Sequence, residues 1–98
     1  MVVARQVIIE QIESMLAGLI SREDLGWWAY DLLLEDSLVY EPLYEKLSQD
    51  VLRSIYYFHD TETFMQQFYP DLDEIVYYLK CLKGEEYYQR FRVVHWRV

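Results

Sequence analysis

The stretch from Ile20 to Ala29, Ile-Ser-Arg-Glu-Asp-Leu-Gly-Trp-Trp-Ala, constrains this chain more than any other. It opens a helix with signals that agree. Ser21 fits the N-cap and Asp24 the third helical position, a short-armed capping box. Ile20 and Leu25 fit the two ends of a hydrophobic staple. Leu25, Trp28, Ala29, Leu32 and Leu33 then keep helical spacing along one face. At about 100° per residue, Trp27, Tyr30 and Leu34 fall together on the other side. A helix that is apolar on both sides is either central to its bundle or half-covered by a partner.

The remaining segments read as further helices. The first is expected from about Ala4 to Gly18, burying Ile8, Ile12, Met15, Leu16 and Leu19, with Gly18 in its closing turn. The second, from Arg22 to about Leu34, is broken by Asp36-Ser37. Pro42 suits the first turn of a third. There Tyr40, Leu43, Tyr44, Leu47, Val51, Ile55 and Phe58 recur on one face. Asp60 is placed as the cap of a short fourth helix carrying Phe64, Met65 and Phe68, which Tyr69-Pro70 ends. Asp71 and Glu74 form a second capping box for a fifth helix. Its inward face is Leu72, Ile75, Val76, Leu79 and Leu82, and Gly84 follows its end.

With 98 residues the chain is expected to form a single helical domain over 1–98, an all-α bundle of about five helices. Its 53% hydrophobic and 17% aromatic content sets it apart from disordered chains. Within that domain, 1–86 is an acidic body holding all seventeen acids and six of the nine bases. Residues 87–98 are a basic, aromatic tail with Arg90, Arg92 and Arg97. Phe91, Val93, Val94, Trp96 and Val98 favour a short extended segment there, although Tyr87, Phe91, Val94 and Val98 also keep helical spacing. An extended tail needs a backbone partner, either Met1–Ala4 or a second copy.

Several function classes lose support. No apolar run reaches the roughly 20 residues of a membrane span, and Met1-Val-Val-Ala-Arg-Gln lacks signal-peptide order. The lone Cys81 has no internal disulfide partner, so a cytoplasmic protein is expected. His59, His95 and Cys81 are scattered, and no cofactor or metal site is expected. The adjacent acids Glu23/Asp24, Asp73/Glu74 and Glu85/Glu86 are read as first-turn acids favoured by the helix dipole. Without a phosphate loop or an activated nucleophile, enzyme activity is not expected. A net charge of −8 argues against nucleic acid, even though the tail mixes arginines with aromatics.

Protein binding is the class that gains. Ten tyrosines include the adjacent pairs Tyr56/Tyr57, Tyr77/Tyr78 and Tyr87/Tyr88. Neighbours on a helix diverge by about 100°, so one of each helical pair leaves the buried stripe. Tyr56 and Tyr77 are the ones expected to leave, joining Trp27, Tyr30 and Leu34 as candidate partner-binding residues.

The pattern of Gly18, Ile20, Ser21, Arg22, Glu23, Asp24, Trp28 and Ala29, with the later Tyr57-Phe58-His59-Asp60 and Phe64, resembles a family of small acidic bacterial proteins linked to polymorphic-toxin immunity. The resemblance covers about Ile8 to Phe68 and implies a non-enzymatic module that occupies a basic toxin or nuclease domain. The competing expectation is a self-associating structural or adaptor protein whose aromatics and tail close a homodimer.

Overall fold

The computed structural model describes residues 1–89, and the tail segment from 90 onward, with its expected extended run, lies outside the described residues. The chain is a small all-α bundle. In order come β1 (Val2–Val3), α1 (Arg5–Leu16), α2 (Arg22–Leu33), β2 (Val39–Tyr40) and α3 (Glu45–Ile55). Two 3-10 segments, Tyr56–His59 and Thr63–Phe68, lead into α4 (Leu72–Leu82).

Helix boundaries follow local chemistry. At the start of α2, Ser21 Oγ accepts from the Asp24 amide at 2.9 Å while Asp24 Oδ2 accepts from the Ser21 amide at 3.1 Å. That is the reciprocal capping box expected from the sequence. Asp71 Oδ1 accepts from the Glu74 amide at 2.8 Å to open α4, whereas the Glu74 side chain turns out to be buried. Gly18 and Gly84, both at φ 77°, follow the ends of α1 and α4 in the left-handed conformation that closes a helix. Glu85 and Glu86 come after the end of α4, so they are not first-turn acids.

The start of α1 is capped from a distance. Ala4 offers no capping side chain. Instead Glu41 Oε1 accepts from the Arg5 amide at 3.0 Å, and Glu41 Oε2 accepts from Arg5 Nε at 2.8 Å. The Arg5 guanidinium also donates to the Leu82 carbonyl at 3.1 Å and lies 3.6 Å over the Tyr44 ring. One arginine thereby ties α1, the 41–44 turn and the end of α4 together. Beside it, β1 and β2 pair in parallel, Val2 with Val39 and Val3 with Tyr40. The N-terminal residues thus find their backbone partner in β2.

This clasp moves the start of the third helix. The backbone stays extended through Glu41, and a turn follows in which Leu43 takes φ 74°. Helix therefore begins at Glu45 instead of Pro42, and Leu43 is 92% exposed rather than part of the buried stripe. Three further expectations are corrected. Asp60 accepts from the Glu62 amide in a local turn at 3.1 Å, so it does not cap the following segment. That segment is a 3-10 helix leaving Phe64 exposed, and Leu72, in the first turn of α4, is exposed as well. Leu16 and Leu19 face solvent, and Ile9 joins Ile8 and Ile12 in the core in their place.

The core gathers Ile8, Ile12, Leu25, Ala29, Val51, Leu52, Ile55, Phe58, Tyr78 and Leu82, all buried. It contains a polar seam between α3 and α4. Tyr78 donates its hydroxyl to Ser54 Oγ at 2.8 Å, and Ser54 donates to the Asp50 carbonyl at 2.9 Å. Asp50, fully buried, accepts from the Tyr88 hydroxyl at 2.6 Å and meets Lys46 Nζ at 3.1 Å. Pairing of this kind is what lets a carboxylate sit inside a small domain.

Candidate functional site

Helix α2 packs most closely on the Tyr56–His59 turn, and Gly26 is the reason. A Cβ at this position would run into the backbone nitrogen of His59 and sit 2.5 Å from the Phe58 carbonyl carbon. Only a residue without a side chain lets the turn's backbone come this near. Gly26 also lies mid-helix, where glycine is about 1 kcal/mol less favourable than alanine. The close approach compensates by bringing the Phe58 ring into the core and the His59 ring to the surface beside Trp27.

From that contact an aromatic ribbon spreads over the surface. Trp27 and Tyr30, three residues apart on α2, meet edge to face with centroids 5.3 Å apart. The His59 ring bridges them, 4.9 Å from Trp27 and 4.6 Å from Tyr30. It stacks on Tyr56 at 5.5 Å and 22°, and the Tyr56 carbonyl accepts a hydrogen bond from His59 Nδ1. Tyr56 lies 4.5 Å from Tyr57, Tyr57 stacks on Phe68 at 5.6 Å, and Phe68 meets Phe64 edge-on at 6.1 Å. Burial, then the hydrogen bond with Tyr57, raises the Tyr56 pKa above that of a free tyrosine.

The ribbon is only partly covered. Trp27 is 44% exposed and Phe64 70%, while Tyr30, Tyr56, Tyr57, His59 and Phe68 are half-buried. Glu23 Oε2 accepts from the indole N–H of Trp27 at 3.4 Å, fixing a carboxylate beside that ring. Within the two stretches that build the face the charge is one-sided, with Arg22 and Arg53 at their edges. No lysine or arginine occurs between Arg22 and Lys46 or between Arg53 and Lys80. Those stretches hold Glu23, Asp24, Asp31, Glu35, Asp36, Asp60 and Glu62, among other acids.

Of the residues singled out in the sequence, Trp27, Tyr30 and Tyr56 come together in this ribbon. Leu34 is 64% exposed at the end of α2, one turn beyond Tyr30 on the same side. Tyr77 is set apart on α4, where its hydroxyl donates to the Tyr87 carbonyl at 3.1 Å and accepts from the Gln89 amide at 2.7 Å. Both Tyr56 and Tyr77 rest part of their rings on the core rather than leaving it outright. Sequence spacing alone does not assign His59, Tyr57, Phe64 and Phe68 to this face, nor mark Gly26 as the point where α2 meets the turn. A glycine inside an otherwise well-capped helix was the available signal.

Elsewhere the chemistry is sparse. Cys81 is buried and takes part in no disulfide. Among the described residues, no three His, Cys, Asp or Glu side chains gather where a metal ion would bind. Among them, too, no helix is long and apolar enough to cross a membrane. No protein-family model, curated protein or solved structure matches the chain.

Proposed function

We propose that this chain is a non-enzymatic protein-binding module of the immunity or antitoxin kind. In this reading it lays the face formed by Trp27, Tyr30, Leu34 and Tyr56 on a basic surface of a protein partner. The observation that carries it is the continuous aromatic ribbon built on two stretches without a lysine or arginine. Half-exposed tryptophan and tyrosine supply contact area at low entropic cost. A surrounding excess of carboxylates speeds encounter with a cationic surface and disfavours nucleic acid and acidic partners. The same excess weighs against closing this face on a second copy, since two such faces would bring like charges together. A single, buried cysteine fits a cytoplasmic setting.

The test pairs the chain with the C-terminal domain encoded by the gene immediately upstream of its own. That domain, expressed alone, should stop growth. The wild-type chain should restore it. A Trp27→Ala, Tyr30→Ala double variant, shown to be helical by circular dichroism, should not. A harmless upstream domain, or full protection by the double variant, would overturn the proposal.

A further inference from the structure

We infer that the aromatic ribbon selects arginine side chains of its partner, each guanidinium lying over a ring with a carboxylate at its edge. This rests on the protein-binding reading above and names the chemistry that would be recognised there.

The fold already handles its own arginines in this way. Arg5 lies 3.6 Å over Tyr44 while its Nε donates to Glu41 at 2.8 Å, a ring and a carboxylate holding one guanidinium from two sides. Arg22 stands 5.6 Å from both the Phe58 and the Tyr69 rings. The open face repeats the ingredients. Trp27 has the Glu23 carboxylate at its indole N–H, 3.4 Å away. Here, though, the two stretches carry no lysine or arginine of their own.

Geometry separates arginine from lysine. Trp27 and Phe64, 44% and 70% exposed, meet their ring neighbours edge to face at 4.9–6.1 Å, so neither ring is closed in a parallel stack. A planar, weakly hydrated guanidinium lies flat on such surfaces and still forks toward a carboxylate. A compact, strongly hydrated ammonium gains the charge attraction but little of the stacking.

The experiment measures fluorescence anisotropy of labelled nona-arginine and nona-lysine peptides titrated with the folded chain at about 150 mM salt, where diffuse attraction is screened. Nona-arginine should bind about tenfold tighter than nona-lysine. A Trp27→Leu, Phe64→Leu variant keeps apolar area but removes two rings, and it should bring the arginine peptide toward the lysine value. Glu23→Gln, an exposed change that leaves folding intact, should weaken nona-arginine several-fold. An arginine preference that survives the leucine variant would overturn the inference. Equal binding of both peptides, lost for both in the leucine variant, would overturn arginine selection while supporting the cation-binding face. Binding of both peptides that ignores every substitution would overturn the two together.

Discussion

Two regions of this small bundle are rich in tyrosine and use it differently. In the seam between α3 and α4, tyrosine hydroxyls end on polar partners in the interior: Tyr78 on Ser54 at 2.8 Å and Tyr88 on Asp50 at 2.6 Å. On the α2 face, tyrosines meet their neighbours ring to ring, Tyr30 with His59 at 4.6 Å and Tyr56 with Tyr57 at 4.5 Å. A hydroxyl anchored in the interior fixes a ring in one place and commits it to the fold. A ring held by other rings at the surface keeps its open area for contact. The same residue type thereby serves stability on one side and exposure on the other.

The sharpest way to break this contrast is at the contact that seats the α2 face on the Tyr56–His59 turn. Gly26→Ala puts a methyl group into the backbone of His59 and Phe58. We expect a loss of about 3 kcal/mol or more in chemical denaturation, since neither backbone has room to retreat. A loss below about 1 kcal/mol would mean that α2 and the turn are not locked together. Next is Tyr78→Phe, which removes the buried hydroxyl from Ser54 and should cost about 1.5 kcal/mol. Ser21→Ala removes half of the capping box and should cost about 1 kcal/mol. An unchanged unfolding free energy would show that α2 gains nothing from its cap.

A pH-dependent effect sharpens the comparison from outside both regions. The Arg5 amide, and then its guanidinium, hold the Glu41 carboxylate below its ordinary value of 4.5. A depressed folded pKa contributes stability that is fully present above the unfolded value and lost as pH falls through the folded one. Glu41→Gln should therefore lower stability at neutral pH and converge with the wild type in acid. Parallel pH profiles for the two proteins would contradict this role.

Much of the architecture was legible because it is local. The α2 cap needs only Ser21 and Asp24, and the end of α4 needs only Gly84. What the sequence hid depends on distant pairs. Nothing near Pro42 announces that Glu41 will cap α1, so the late start of α3 and the exposure of Leu43 were missed. The expected short fourth helix is 3-10, with three residues per turn, so the 3.6-residue period does not describe Thr63–Phe68. For the candidate face, helical spacing gathered Trp27 and Tyr30 correctly. His59 stayed hidden because its place depends on the missing side chain of Gly26. Tyr77 was grouped with the face by the same one-helix reasoning, which does not tell which side of the bundle α4 presents.

The most direct measurement is equilibrium unfolding of a Trp27→Ala, Phe64→Ala double variant, which strips the two most exposed rings from the ribbon. If these rings are held for contact and not for folding, the variant should keep one cooperative transition within about 1.5 kcal/mol of the wild type. A loss as large as that expected for Gly26→Ala would place the ribbon in the core and contradict its reading as an interaction surface.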